Sequence, residues 1–414
     1  MTVEVHAVQR MRVYSEPTFA TDYTGSIGSF IDVPFSEGTA QMVLTTDSLD
    51  PQQAVQSRVE GREEVLGKKS ATLTFSIPLA PTGTAATTGQ SAVSGALGAL
   101  LKATFGGENL AAGSTSDTGS TATVVNVQAG HGSRWAAGLA MGWTNASGVL
   151  EVREVESVAT DAVTLKYGFS GAPSSTDPLY NAATYYITED PTETLQFYVQ
   201  GYETSDKWLL LGGQAVGGVT FNIDVTGAAL PSVSFNFTFA QWLDSSATAA
   251  TPTMGTATYS NYSPIVGFAG ECRSWVNGSP TYSASHIIDV SAFAWAPAIS
   301  YIPQTSPSGT NTIKRWRGAR ANPPITGSFT TVYEDLTWWS ARDNLVDRHI
   351  QYQSGIAAGN AFVLTAPTVQ IKNPQRGDAG GLAGQTVEYQ GRRDSDVASS
   401  TDALAKSPER VHLI

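Results

Sequence analysis

Few residues in this 414-residue chain stand at spacings that do chemistry. The stretch Gly61-Arg-Glu-Glu-Val-Leu-Gly67-Lys68-Lys69-Ser70 comes nearest to a phosphate-binding loop. Such a loop needs four residues between its glycines and a hydroxyl after its lysine to hold magnesium. Here five residues intervene, Lys69 takes the hydroxyl's place, and a strand pattern follows instead of a helix. The segment reads as a charged turn. Gly377–Gly384 likewise runs into a strand pattern at Gln385–Gln390, so no helix N-terminus is offered to a pyrophosphate. The five histidines, His6, His131, His286, His349 and His412, share no ligand spacing, and the single Cys272 gives neither an internal disulfide nor a zinc site of two thiolates. Glu63/Glu64 and Glu334/Asp335 are adjacent acids, which a strand points to opposite faces. Glycoside hydrolysis needs two carboxylates facing each other across a sugar. Solvation or helix capping suits these pairs better. The expectation is a non-enzyme with no cofactor and no bound metal.

One cluster is chemically distinct. Lys314, Arg315, Trp316, Arg317 and Arg320 place four positive charges and an indole within seven residues of an otherwise acidic chain. Three readings compete. The run contacts phosphate while Trp316 stacks on bases, or it is a solvated hairpin, or it meets an acidic patch on a neighbouring copy. The last is favoured, making these five residues candidate subunit contacts.

The elements that must carry such residues are mostly strands. Period-two alternation puts Leu73, Phe75 and Ile77 on one face of Ala71–Pro78, and Val233, Phe235, Phe237 and Phe239 on one face of a second run. Thr194–Gln200 and Ala361–Leu364 add further strands. Two helices are expected. One is Ser91–Phe105, with Val93, Leu97, Leu100, Leu101 and Phe105 as its apolar stripe. The other is Asp335–Arg348, with Leu336, Trp339, Leu345 and Val346 sharing a face and Asp335 as N-cap. Composition agrees: 41% of residues are apolar and 14% charged, with a net charge of −12. That is too apolar for disorder and too acidic for a nucleic-acid grip. No basic-then-apolar leader and no apolar run long enough for a membrane helix stand out, which predicts a soluble, cytoplasm-made chain without membrane insertion.

The chain repeats itself. Ile31-Asp32-Val33 returns as Ile288-Asp289-Val290, and Phe75 returns as Phe329. Gln196-Phe197 matches Gln351-Tyr352, Leu230 matches Leu382, Phe235 matches Val387, and Phe237 matches Tyr389. The offsets are nearly constant within each group, then drop by about 99 residues after the helix, as one insertion in the first copy requires. The expected layout is an N-terminal arm (1–26), a first domain (27–107 and 191–245), an inserted small β-domain (108–190), a linker (246–285), a second domain (286–393) and a mobile or partner-docked tail (394–414). The fold class expected is mainly β.

With these residues assembled, the series Ile288-Asp-Val, Ile325-Thr-Gly-Ser-Phe-Thr-Thr-Val-Tyr-Glu-Asp, a helix, Ala361-Phe-Val-Leu and Gly381-Leu-Ala-Gly-Gln-Thr-Val-Glu-Tyr resembles the tail tube proteins of long-tailed bacteriophages. Gly61–Phe75 and Ala96–Gly107 are similar to the first half of the same group. The resemblance implies two tandem tail-tube-like β-sandwich or barrel domains, each with a flanking helix. It also implies a structural virion protein whose copies form rings that stack into a hollow tube through which DNA is ejected. Its partners would be itself and other tail proteins, and its place the virion tail, after synthesis in a host bacterium. A sparsely charged, net negative wall lets DNA pass without adhesion. Two tube folds per chain predict three chains in a pseudo-sixfold ring, with six chains as the alternative. Because the first helix faces outward in such folds, the insert is expected to decorate the outside, dispensable for assembly. The rival classes are a β-rich carbohydrate-binding or carbohydrate-cleaving protein, given nine Trp and fifteen Tyr, and another virion component such as a capsid, neck or decoration protein.

Overall fold

The computed structural model describes residues 2–23, 29–49, 65–79, 95–188, 190, 193–202, 206–216, 218–223, 225, 230–244, 254, 265, 270–279, 281–297, 299, 301–305, 313–318, 326–333, 335–378, 383–394 and 402–414. These form a mainly β structure with few helices. The first part of the chain gives β1 (Thr2–Ala7), β2 (Arg10–Glu16), β3 (Ile31–Asp32), β4 (Gln41–Leu49), β5 (Val65–Pro78) and α1 (Gly95–Phe105). Next come β6 (Gly106–Asn109), β7 (Ser114–Thr115), β8 (Val124–Asn126), β9 (Ala140–Thr144), β10 (Leu150–Ala159), β11 (Ala162–Leu165), β12 (Pro178–Asn181) and β13 (Ala183–Ile187). The first part closes with β14 (Thr194–Gln200), β15 (Lys207–Gly213), β16 (Val219–Ile223), β17 (Ser232–Phe239) and β18 (Gln241–Asp244). The second part runs β19 (Gly270–Val276), β20 (Ile287–Ile288), β21 (Val290–Ala296), β22 (Tyr301–Thr305), β23 (Ile313–Gly318), β24 (Thr326–Thr331) and α2 (Leu336–Asp343). It ends with β25 (Arg348–Ala357), β26 (Asn360–Asp378), β27 (Ala383–Arg392), α3 (Ala403–Lys406) and β28 (Arg410–Leu413).

The offsets seen in the sequence reappear as strand registers. Phe235 lies opposite Phe75, and Val387 lies opposite Phe329. Phe197 lies opposite Val13, which lies opposite Ile31; Tyr352 lies opposite Cys272, which lies opposite Ile288. Phe197–Leu210–Trp242 is matched by Tyr352–Leu364–Val411. Each repeat is therefore two facing sheets. In the first repeat they are β4-β5-β17-β16 and β18-β15-β14-β2-β3. In the second they are β21-β24-β27-β26 and β28-β26-β25-β19-β20. One difference matters: β15 and β16 are separate strands, whereas their counterparts fuse into the 19-residue β26, which crosses from one sheet to the other.

A single apolar cluster runs through both repeats. Within it Phe75, Phe235, Phe237 and Phe239, which alternation put on one face, meet Phe197 of the facing sheet, with neighbouring rings 5.4–6.3 Å apart. Such pairs add about 0.5–1.5 kcal/mol each beyond the area they bury.

Four boundaries differ from the sequence reading. The arm assigned to 1–26 supplies β2, which lies between β14 and β3 inside the second sheet. The linker assigned to 246–285 contains β19, the counterpart of β2. In the tail assigned to 394–414, residues 402–414 form α3 and β28, and β28 fills the place between β13 and β26. Its Arg410, Val411, His412 and Leu413 are all buried. The fourth change concerns the insert. Its own six-stranded sheet, β7-β12-β9-β10-β11-β8, spans Ser114–Asn181, whereas β6 and β13 pair with each other and join the main sheet through β28.

The insert leaves the first repeat but docks on the second. Gln351 Nε2 donates to Val152 O at 2.8 Å, and Gln353 Nε2 donates to Leu150 O at 2.7 Å. Beneath them lies a buried ionic knot. Arg410 pairs with Glu154 and, at 3.3 Å, with Asp394, while Lys166 pairs with Asp394. Two cations meet two anions, and burial, with Lys166 and His412 beside it, drives the adjoining His349 well below its ordinary pKa. A neutral His349 leaves the knot balanced, as a charge set this deep requires. The insert is thus tied to the second repeat by buried polar contacts.

Candidate assembly interface

The two repeats meet edge to edge. β16 pairs with β21, placing Phe221 opposite Trp295, Asn222 opposite Ala294 and Ile223 opposite Phe293. This seam joins the two sheets into one, in the order β1-β4-β5-β17-β16-β21-β24-β27-β26. Alternation gives that sheet two unlike faces. One carries the aromatic core. On the other, the ladder from β5 to β24 presents Thr72, Thr74, Ser76, Thr238, Asn236, Ser234, Thr220, Asn222, Ala294, Ala292, Ser328 and Thr330, with no charge among them. Hydroxyls and amides link across strands there. Ser76 Oγ is 2.7 Å from Ser234 Oγ, Asn222 Nδ2 donates to Ser234 Oγ at 2.8 Å, and Thr330 Oγ1 is 3.1 Å from Thr386 Oγ1.

A hairpin locks the seam from the core side. β22 and β23 stand in the connection between β21 and β24 and reach back over the first repeat. Tyr301 Oη donates to Thr104 O, one of the last carbonyls of α1, at 2.7 Å. Trp316 is buried, and its Nε1 donates to Gly212 O at 2.8 Å. Gly212 is a bulge residue with φ +64°, and a Cβ there would meet Ala240 and Phe19 at 3.0 Å. Its own N–H donates to Glu16 Oε1 at 2.8 Å, so the bulge ties the hairpin to the end of β2. Under this cover α1 buries eight of its eleven residues.

The cationic cluster is therefore split. Trp316 belongs to the intramolecular seam and is not a neighbour contact. Lys314, Arg315 and Arg317 stay exposed on the hairpin, with Arg315 Nε donating to Gln304 Oε1 at 2.6 Å. Arg320 lies outside the described residues. So do Glu63, Glu64 and Glu334, while Asp335 caps α2 by accepting from Thr337 N at 2.8 Å. Of the phosphate-loop look-alike, Val65–Ser70 is plain strand in β5. Among the described residues, no three His, Cys, Asp or Glu side chains stand close enough to hold a metal ion. No described helix is long and apolar enough to cross a membrane.

The second helix contradicts its expected face. α2 ends at Asp343, and Leu345 turns the chain with φ +52°. Trp338 and Ala341 point inward, whereas Leu336 is 71% exposed and Leu345 67% exposed. Leu336 and Trp339 border an open depression against Asn373, Pro374 and Gln375 of β26. The same element is covered in the first repeat and bare in the second. Sequence reading missed this because a helix that is apolar on two faces has no single stripe to orient it.

No protein-family model matches the chain, and no curated protein matches it.

Proposed function

We propose that the chain is a structural subunit that assembles with copies of itself into rings, stacked as the hollow tail tube of a long-tailed bacteriophage. The observation that carries this reading is the seam: two sandwiches of equal register already join edge to edge into one sheet with a core face and, across the stretch from Thr72 to Thr330, an outer face of uncharged side chains. Continued around a closed ring, that sheet forms a wall whose hydroxyl and amide face suits the lumen. DNA carries about one charge per 1.7 Å of axis and is held where cations line its path. A wall of Ser, Thr and Asn offers it no such hold. None of the net charge of −12 is carried by the stretch from Thr72 to Thr330, which refines the sequence expectation of a negative wall.

Three chains with two repeats each complete a pseudo-sixfold ring. Negative-stain imaging of the purified chain tests this. Hollow tubes or stacked rings of three chains are expected. Closed shells, or monomers that bind polysaccharide, would sink the reading, and a true sixfold ring of six chains would overturn the count.

A further inference from the structure

We infer that β1 is a removable guard strand, holding on β4 the place that β26 of a second copy takes when subunits join. The inference rests on the proposed ring and deepens it.

The argument comes from the internal repeat. Through their partners Thr74 and Ser328, Gln41 on β4 corresponds to Ala294 on β21. Ala294 is paired on its other side by Asn222 of β16. Gln41 is paired on its other side by Ala7 of β1. Both pairings are antiparallel, so β1 has the same direction on β4 that β16 has on β21. The counterpart of Asn222 in the second repeat is Gly377 of β26, since Asn222 faces Ser232 as Gly377 faces Gly384. No described strand pairs with the outer edge of β26 at Gly377. The molecule thus carries one satisfied seam, one bare edge, and one edge covered by its own first strand.

The surroundings repeat the asymmetry. Where β16 meets β21, the β22–β23 hairpin crosses the seam and covers α1. Beside the bare edge of β26, the matching helix α2 shows Leu336 to solvent and half-buries Trp339, and Leu345 just after it is exposed. In the first repeat, the place of that hairpin is taken by the far end of the β4–β5 ladder, around Thr46 and Lys69. A second copy that brings its β4 edge to Gly377 brings that end over α2. The occupant of the apolar patch is therefore another copy of this chain, placed as the second repeat is placed on the first. β1 must leave first, because Ala7 and His6 already pair with Gln41 and Met42. β1 is suited to leaving: its Val5 is 58% exposed, and among the described strands only β4 pairs with it. An edge kept covered until the right partner arrives also protects the free subunit from wrong sheet pairing.

A disulfide staple tests this. Val5 and Val43 are directly opposed, a separation a disulfide can span, so V5C/V43C locks β1 onto β4 when oxidised. Oxidised protein is expected to remain monomeric by light scattering and microscopy, and to assemble after reduction. In a second variant, Q41C/G377C, oxidation of assembled material is expected to link different chains. Equal assembly of the oxidised and reduced staple would overturn the inference while leaving the tube reading intact. So would linkage of Gly377→Cys to Ala7→Cys in place of Gln41→Cys. A wild-type chain that never assembles would overturn both, and a reduced staple that assembles normally shows the variant is folded.

Discussion

Glu16 is 6% exposed at the end of β2, where it accepts from Gly212 N, Thr194 Oγ1 and Ala20 N. Burial outweighs those bonds and raises its carboxyl to about 7. A raised acid stabilises the fold below its ordinary value of 4.5, and that contribution is lost as pH climbs toward 7. The buried histidines act in the opposite sense. Burial, with Arg410 nearby, lowers His412 to about 3, and His349 is lowered well below 6.5. Their contribution is present above pH 6.5 and fades as pH falls. Between pH 4.5 and 6.5 the rising Glu16 term, joined by Glu409 whose carboxyl burial raises well above 4.5, opposes the falling histidine terms, each worth about 1.4 kcal/mol per pH unit. Glu16→Gln removes one of the opposing terms, so urea midpoints measured across this window should fall more steeply on acidification than in wild type. Parallel profiles would rule this out. Trp316 sets a second test at this scale. Trp316→Ala leaves a cavity at the seam and strands Gly212 O, and a loss of about 3–5 kcal/mol is expected in the same unfolding assay. Cys272, fully buried with its thiol pushed up by burial, should stay unreactive to thiol reagents until the protein unfolds.

Elements differ in how much of themselves the sequence disclosed. β14 matches its expected span residue for residue, and β5 and β17 keep their expected apolar faces, because strict alternation over a half-buried sheet leaves one register. β1, β2 and β28 were assigned to an arm or a tail. Their partners are distant in sequence, and short strands such as Arg410–Leu413 carry no pattern that names a partner. α2 shows the same limit, since Trp338 and Trp339 give it two apolar faces and only packing decides which turns inward. Its outward face yields a separable prediction. Leu336→Asp should change monomer stability by less than about 0.5 kcal/mol, because the side chain is already exposed. It should nevertheless abolish assembly by light scattering; normal assembly would remove α2 from the interface. The insert yields the converse. Deleting 108–190 takes Glu154 and Lys166 from the knot and β13 from the edge of β28, uncovering Val411 and Leu413. Exposing a buried Val or Leu side chain costs about 1.5–3 kcal/mol. The deletion should lower the melting temperature or prevent soluble expression, and a fully stable deletion would show that the knot contributes little.

At the scale of the molecule, what was legible was the repeat; what was not was the interface. Ile31 with Ile288 and Phe75 with Phe329 could be matched because equivalent core positions keep equivalent residue types. The proposed interface could not, because main-chain edges such as Gly377 and Gln41 carry no side-chain signature. In the conspicuous cluster at Lys314–Arg320, the one buried member among the described residues, Trp316, works inside the chain. The β16–β21 seam has a further consequence, for the rate of assembly. A ring of six equal folds made from single-fold subunits must bring six bodies together before it closes. In the proposed ring half of the six junctions are made within a chain, where the partner's effective concentration is fixed by the connection and not by the solution. Its assembly then needs two encounters between chains in place of five. The concentration dependence of nucleation should be correspondingly shallow, with ring formation persisting at dilutions where an equivalent single-fold subunit would remain dispersed.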